Sequence, residues 1–341
     1  MIGGSTISKL VDFLLLNACS VNSTGLYNGK AGISLCLFEI SRFLQDESIE
    51  EQAFMFLQES LLTKNEDIGF ENGLSGIGYV LLYLIKHEFI EADFEELFGS
   101  QQRKIEEYLK NLQEAERNKE KFLRYNFKII FFLDLLFSHD VKYRRGTLLF
   151  PIFSDTACRL LEEYASSIDK KQKIHLAMEY TAFFKTYLEA VSVCRDFPLS
   201  SVVLDIYARL FTQDRLMSDF IVGYYLQNIA SAKNDFRLKE IAETNLAFAL
   251  KNIRPQTMSL SQRVGLLHLL RQDEDLYMEP INLLEKDLFD EIPESQLERN
   301  LLYAIGPDCF FAGYQSGIAR FLLYWVYRSM DRTMRERILF L

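Results

Sequence analysis

Three short glycine-rich blocks constrain the fold of this chain more than any other feature of its sequence. They read GLYNGKAGI at 25–33, GFENGLSGI at 69–77 and FAGYQSGI at 311–318. Each ends in Gly-Ile and continues into an apolar, aromatic-rich segment, at 33–40, 77–85 and 318–326 respectively. Glycine inside a helix costs roughly 1 kcal/mol relative to alanine, so its repeated use indicates a geometric requirement.

Two geometric requirements explain these glycines. Asn28-Gly29 and Asn72-Gly73 are typical of tight turns in which the chain needs positive φ. Gly32, Gly76 and Gly317, which each precede an isoleucine, would let a neighbouring helix or a ligand approach the backbone closely. A turn followed by a buried helix, used repeatedly, is typical of a repeat architecture. The remaining glycines assigned to these turns are Gly25, Gly69 and Gly313.

Helical periodicity dominates the rest of the chain. Apolar residues recur at i, i+3, i+4 and i+7, which predicts amphipathic helices. The clearest segments are 53–62, 103–112, 157–166, 201–211 and 238–250. No convincing series of alternating apolar and polar residues predicts a β-sheet. All six prolines follow residue 150, at positions typical of helix starts and of turns between helices. We therefore predict an all-α protein.

The placement of the blocks bears on domain organisation. No linker rich in glycine, serine or proline divides the 341 residues, so we predict one domain over 1–341. Because the blocks lie near both ends of the chain, a closed ring of helices is favoured over an open solenoid. The apolar segments at 33–40, 77–85 and 318–326 should be inner helices that pack together, because apolar residues cover most of their sides.

Charge and apolar content exclude several classes of partner. The formal net charge of −10 argues against binding to nucleic acid or to an anionic membrane, which both require clustered Lys and Arg. The most apolar stretches, 77–85 and 129–137, are far shorter than the ~20 residues that span a bilayer. Five scattered cysteines fit reduced thiols in a cytoplasmic protein. The alternative is a lipoprotein signal ending at Cys19, although Asp12 interrupts its apolar segment.

The three blocks, in this order and each followed by an apolar helix, resemble the repeats of lanthionine synthetase C-like proteins, the cyclases of lanthipeptide biosynthesis. The resemblance is clear over the first ~90 and the last ~35 residues, and it rests on helix pattern and spacing between them. It implies an α/α toroid of about seven helical hairpins, with the glycine turns at the mouth of the inner ring. It also implies a role in a bacterial peptide natural-product (RiPP) pathway.

The resemblance implies a zinc site that this sequence does not reproduce. Active members hold zinc with two cysteines and a histidine from the fifth and sixth repeats, and the metal activates a peptide thiol. The sixth repeat is best matched at 259–266, where Leu260-Ser261, or Ser261-Gln262 after a one-residue shift, replaces Cys-His. Asp196 replaces the cysteine of the fifth repeat, and Met178 aligns with a proton-handling histidine. We therefore predict no metal and no other cofactor.

A shifted metal site is the alternative, with Cys194, His268 and Cys309 converging on one mouth of the toroid. His268 stands in a leucine-rich run, however, where a core or boundary role is commoner. None of the four histidines has ligand-like spacing to another. The sequence therefore favours a toroid without zinc.

The predicted function is the binding of a peptide, or of a modifying enzyme of the same pathway, by a cyclase-like protein without cyclase activity. Aromatic rings together with Asn and Glu at the mouth are the mixture expected of a peptide site, although packing of turn against turn would explain them equally well. The candidate binding residues are Tyr27, Asn28, Phe70, Glu71, Asn72, Asp196, Ser261, Gln262, Phe311 and Tyr314.

An enzyme with different chemistry at the mouth is the second functional class. Glycosidases of toroidal fold use two carboxylates about 5 to 9 Å apart. The acids in or beside the predicted mouth turns are Asp67, Glu71, Asp196 and Asp308. Charge at helix N-termini and turn formation are the simpler explanation of these residues.

Overall fold

The protein is all-α over the residues that the computed structural model describes, which are 4–114, 116–139, 149–171, 174–289, 312–315 and 317–330. These ranges contain no β-strand, which confirms the predicted fold class. None of their helices combines the length and apolar character needed to cross a membrane. The α-helices are α1 (Gly4–Ala18), α2 (Lys30–Leu44), α3 (Glu47–Leu62), α4 (Leu74–Lys86), α5 (Phe94–Glu114), α6 (Glu116–Asn126), α7 (Ile129–His139), α8 (Leu149–Lys171), α9 (Ile174–Val193), α10 (Ser201–Thr212), α11 (Phe220–Lys233), α12 (Phe236–Lys251), α13 (Leu260–Leu270), α14 (Glu274–Phe289) and α15 (Ile318–Ser329).

The chain forms two compact units, one of residues 1–103 and 254–341 and one of residues 104–253. In the first unit, α2 packs against both α4 and α15, and α15 also packs against α1 and α13. Helices from the two ends of the sequence therefore meet in this unit. The prediction that the three apolar segments following the glycine blocks pack together is confirmed.

The second unit repeats the alternation of helices seen in the first. Its α9 packs against α7, α8 and α11, whereas α10 packs against α8 and α12. Alternate helices along the chain therefore belong to alternate layers, as α2 and α4 do in the first unit with α3 between them in sequence. A single domain with one closed ring over 1–341 remains a prediction.

Burial patterns explain which helices enter which layer. Every residue of α2 from Ala31 to Ser41 is buried, whereas α3 buries one side only, at Ile49, Ala53, Phe56, Leu57 and Ser60. A helix that is apolar on most sides is stable only when neighbours surround it, and a one-sided helix covers the core and faces water. The same contrast separates α4, buried from Leu74 to Leu84, from the amphipathic segments predicted at 53–62 and 238–250.

The same two-residue turn joins α2 to α3 in the first unit and α11 to α12 in the second. Gln45 and Asn234 end the first helix of each pair in the left-handed region, both with φ 54°. The next residues, Asp46 and Asp235, accept hydrogen bonds from N–H groups in the first turn of the following helix. A left-handed residue followed by an N-capping aspartate reverses the chain with few residues.

The first helix is part of the core of the first unit. Leu10, Leu14 and Ala18 of α1 are at most 2% exposed, and the helix packs against α15. The exposed Cys19 follows directly after it. The N-terminal segment therefore forms an amphipathic helix whose apolar side packs into the first unit.

A buried ionic cluster ties α14 and α15 to the 3-10 turn that follows α13. The Glu285 Oε1 atom accepts hydrogen bonds from Nη2 of Arg271 and from the hydroxyl of Tyr324, both at 2.6 Å. Its Oε2 atom lies 3.3 Å from Nη2 of Arg328. The side chains of Arg271 and Glu285 are only 7% and 10% exposed. Nη1 of Arg271 also lies 2.5 Å from Oε1 of Glu274, so the buried charges of the cluster compensate one another.

We expect Glu285→Ala to lower the free energy of unfolding by about 3 kcal/mol, because it leaves the buried Arg271 guanidinium with only the more exposed carboxylate of Glu274. The matched control is Glu66→Ala. The side chains of Glu66 and Lys64, which form an ion pair, are 78% and 82% exposed. This substitution should therefore change the free energy of unfolding by less than about 0.5 kcal/mol. Urea denaturation followed by circular dichroism measures both. Equal effects of the two substitutions would contradict the role of the cluster.

Candidate functional site

The three glycine-block turns are joined to one another by backbone hydrogen bonds. The N–H of Tyr27 donates to the carbonyl oxygen of Glu71 at 2.8 Å, and the N–H of Gln315 donates to the carbonyl oxygen of Tyr27 at 2.9 Å. The first turn therefore lies between the second and the third. We call this pair of bonds the turn ladder. The third turn donates a backbone hydrogen bond to the first turn, just as the first turn donates one to the second.

The ladder establishes which residues of the three blocks are equivalent. Gly29, Gly73 and Gly317 are the N-caps of α2, α4 and α15, and each helix begins at the next residue. The equivalence of Gly317 with Gly32 and Gly76, expected from the shared Gly-Ile, is therefore wrong. Three residues beyond the cap, Arg320 occupies the position that Gly32 and Gly76 hold in the other two repeats.

The turns do not use positive φ where the sequence predicted it. Gly29 has φ −129° and Gly73 has φ −114°, both in the extended region. Gly317, with φ 129°, is the glycine with positive φ in the described ranges. The expectation for the two Asn-Gly pairs is therefore wrong, and their glycines serve another purpose.

Close approach of the backbone is the requirement that the glycines meet. A Cβ atom on Gly32 would lie 1.8 Å from the carbonyl oxygen of Leu26 and 2.6 Å from Cβ of Tyr314. On Gly76 it would lie 2.0 Å from the carbonyl oxygen of Phe70 and 2.9 Å from Cβ of Leu26. These separations are too short for any side chain, so the predicted close approach is confirmed for Gly32 and Gly76. Each glycine contacts its own turn and the turn of the neighbouring repeat.

The other block glycines lie in equally close contacts. The nearest atom to an added Cβ would be Cα of Asn72 for Gly25, the Gly25 nitrogen for Gly29 and the Asp67 oxygen for Gly73, each at 2.4 Å. Gly69 donates its N–H to Oδ1 of Asp67 at 2.7 Å. Gly313 is buried.

The turn before α2 occupies the N–H groups of the first turn of that helix. The bonds run from Lys30 to the Ser23 oxygen (3.0 Å), from Ala31 to the Thr24 oxygen (3.3 Å) and from Gly32 to the Gly25 oxygen (3.4 Å). A helix N-terminus binds an anion through such N–H groups when they are open. Here the chain itself satisfies them, so the glycine-rich block of α2 is not a phosphate-binding loop.

The aromatic rings proposed for the mouth lie inside the protein. Tyr27, Phe70 and Tyr314 are each 1% exposed. This burial favours the packing role that the sequence left open for them. By contrast, Asn28 and Asn72 are exposed and Glu71 is half-buried. Phe311 lies outside the described residues.

The remaining candidates, Asp196, Ser261 and Gln262, are not part of the three turns. Asp196 is exposed and belongs to the second unit. Asp196 precedes α10, which packs against α8 and α12. The next helix that packs against α9 is α11, and its N-cap is Asp219. Asp196 therefore does not precede a helix of the layer that contains α9 and α11, and the match of the fifth repeat at Asp196 is not reproduced.

Ser261 and Gln262 lie in the first turn of α13, not in the turn before it. Ser259 is the N-cap, and its hydroxyl accepts a hydrogen bond from the backbone N–H of Gln262. The Gln262 side chain in turn accepts one from the N–H of Ser259 at 3.0 Å. This capping box gives Gln262 a structural role at the start of the helix. Gly265, four residues further along than Ser261, lies inside the helix.

The residues present do not fit the zinc site of the family that the sequence resembles. The imidazole of His268 packs against the ring of Tyr327, with 5.0 Å between centroids. Its burial, together with the charge of Arg320, lowers the pKa of His268 to about 4. Burial, with smaller effects of Asp134 and Glu189, raises the pKa of the Cys194 thiol, so its thiolate is disfavoured. Cys309 lies outside the described residues. In the part of the chain that the structure covers, no three His, Cys, Asp or Glu side chains group as metal ligands would.

Arg320 is the buried group that the sequence interpretation missed. It is 3% exposed, and its Nη2 atom lies 3.7 Å from the position that a Cβ on Gly265 would take. The side chain therefore extends from α15 to α13, near His268. Aligning the blocks on their last Gly-Ile hid this residue, whereas alignment on the N-cap glycine would have revealed it.

Asp67, one of the carboxylates considered for hydrolytic chemistry, shapes the turn in which it stands. Asp67 accepts the Gly69 N–H through its side chain and the Leu74 N–H through its carbonyl oxygen. These bonds form the turn before α4, as the simpler explanation of this acid predicts. Asp308 lies outside the described residues.

Comparison with known proteins gives a family match within the N-terminal part of the chain. A family model described as "Lanthionine synthetase C-like protein" matches residues 20–130. This range contains the first two glycine blocks, whose turns carry one of the two ladder bonds. No curated protein and no solved structure gives a significant match.

We expect Gly32→Ala and Gly76→Ala each to lower the free energy of unfolding by about 3 kcal/mol or more, because the added methyl group overlaps a backbone carbonyl. Gly265→Ala is the matched control, since its Cβ would make only an ordinary contact with Arg320. It should raise stability by about 0.5 to 1 kcal/mol, as for an unstrained helix interior. Thermal and urea melts measure all three. A destabilisation of equal size at the three positions would refute the close-approach explanation.

Proposed function

Since the match over residues 20–130 supports a place for this chain in the lanthionine synthetase C-like family, we propose that it binds a peptide without forming thioether bonds. The peptide would be a substrate or precursor of a bacterial peptide-modification pathway, or a segment of a modifying enzyme of that pathway. The observation that carries the proposal is the combination of an intact turn ladder with residues that cannot form the zinc site.

The chemistry of the donor set argues against cyclase activity. Zinc that activates a thiol needs ligands that are deprotonated and held together, as two thiolates and an imidazole are. Ser261 and Gln262 carry neutral groups, and Gln262 is committed to the capping box of α13. The buried Cys194 thiol and the His268 ring that packs on Tyr327 offer no substitute pair. No step through a metal is therefore assigned to this protein.

The turn ladder supports a binding role. A binding surface needs groups held in place by a rigid frame, since ordering flexible groups reduces affinity. Here buried rings of Tyr27, Phe70 and Tyr314 pack beneath the turns, and backbone hydrogen bonds join the turns to one another. The exposed Asn28 and Asn72 are thereby carried at equivalent positions of two turns that are joined to each other. A peptide, whose main chain carries regularly spaced polar groups, is a suitable ligand for such a pair.

The binding prediction is tested with a synthetic array of 12-residue peptides of random sequence, probed with the purified, labelled protein. We expect a subset of peptides to be retained, and resynthesised peptides to bind in solution by fluorescence anisotropy. Treatment with EDTA should leave their affinity unchanged, because no metal is part of the site. An unrelated acidic helical protein serves as the control for non-specific retention.

Two results would contradict the proposal. One is the absence of specific binding to any peptide on the array. The other is one zinc ion per chain by elemental analysis, together with cyclisation of a model peptide that contains one cysteine and one dehydroalanine. Cys194→Ala and His268→Ala would then identify the ligands, because either substitution should remove the metal.

A further inference from the structure

Asn28 and Asn72 occupy equivalent positions in neighbouring repeats. Each directly precedes the N-cap glycine of its inner helix, α2 or α4. Each also directly follows a residue of the turn ladder, Tyr27 or Glu71. Both side chains are exposed, on turns whose neighbouring residues Gly29 and Gly73 are buried.

The usual structural reasons for asparagine in a turn do not apply to these two residues. Asparagine is favoured in turns because it tolerates positive φ or because its side chain bonds to nearby backbone. Neither residue has positive φ, unlike Asn234. Within the described residues, neither side chain makes a hydrogen bond, and the N-cap position of each helix has no side-chain cap.

Asn65 shows what a structural asparagine looks like in the same region. Its Oδ1 atom accepts the N–H of Asp67 at 2.9 Å, and its Nδ2 group donates to the hydroxyl of Thr24 at 2.9 Å. All the polar atoms of that side chain are therefore used to shape the turn. Asn28 and Asn72 instead direct a donor and an acceptor each to the surface.

The backbone segments that carry the two carboxamides lie close together, because the N–H of Tyr27 donates to the carbonyl oxygen of Glu71 at 2.8 Å. Asn72 lies against the first turn, because a Cβ on Gly25 would be 2.4 Å from Cα of Asn72. In an extended peptide, main-chain groups on the same side repeat about every 6.7 Å. Two side chains that start from neighbouring turns can reach two such groups. Each carboxamide can donate to a peptide carbonyl and accept from a peptide N–H.

We propose that Asn28 and Asn72 together bind the main chain of an extended peptide through paired hydrogen bonds from their carboxamides. The inference rests on the proposed peptide-binding function and specifies its chemistry. Recognition is of main-chain amides, and therefore tolerates many side-chain sequences. The buried aromatic rings beneath the turns support the site without touching the ligand.

The test uses the peptides that the array identifies, measured in solution by fluorescence anisotropy. Asn28→Ala and Asn72→Ala should each weaken binding about tenfold, the effect expected on losing one or two hydrogen bonds. Both variants should keep the melting temperature of the native protein, because the side chains are exposed and make no bonds in the described structure. Asn252→Ala, at the exposed end of α12, is the matched control and should leave the affinity unchanged.

N-methylation of the peptide provides an independent readout. Methylating the amide nitrogens one at a time should abolish binding at one or two positions and leave the rest unaffected. In the Asn28→Ala, Asn72→Ala double variant, methylation at those positions should weaken binding no more than methylation elsewhere in the peptide. If the native protein binds peptides and the double variant binds them equally well, the inference is overturned and the proposed function stands. If no peptide binds the native protein, both fail.

Discussion

The backbone of Tyr27 is the point on which the first unit depends. Its N–H donates to Glu71 and its carbonyl accepts from Gln315, so one residue joins turns from positions far apart in the sequence. A backbone group buried without a partner costs free energy comparable to a lost hydrogen bond. The three turns must therefore keep one mutual register. That register explains why glycine is required beneath the first two turns and why α2 lies between α4 and α15.

The sequence predicted the layers of helices well, because burial leaves a direct trace in residue pattern. The segments 33–40, 77–85 and 318–326 are apolar on most sides, and they form the helices that pack together. The one-sided segments, such as 53–62, form helices that bury a single stripe. Periodicity reports how many sides of a helix are covered, so it distinguishes the two layers without any knowledge of their partners.

The register of the repeats was harder to predict, because backbone hydrogen bonds leave almost no trace in residue identity. The shared Gly-Ile suggested an alignment that placed Gly317 with Gly32. The helix starts show instead that Arg320 stands there. The fifth and sixth repeats lack the glycine pattern, so their alignment with the other repeats was misplaced for the same reason. Asp196 and Ser261 are therefore not in the turns to which the alignment assigned them. Asn28 and Asn72 are exposed, as a binding role requires. For Tyr27 and Tyr314 the sequence left binding and packing as alternatives, because aromatic residues suit both, and their burial favours packing.

Hydrogen exchange at single-residue resolution tests the turn ladder most directly. The amides of Tyr27 and Gln315 lie in turns, where exchange is ordinarily rapid, yet in the ladder each is hydrogen-bonded to a neighbouring repeat. Amides in such bonds exchange only when the structure opens. The ladder predicts that both exchange as slowly as the buried helical amide of Leu37 in α2. Exchange of either at the rate of the exposed loop residue Glu66 would show that the turns are not joined, and would contradict the account of the fold and of the site built on it.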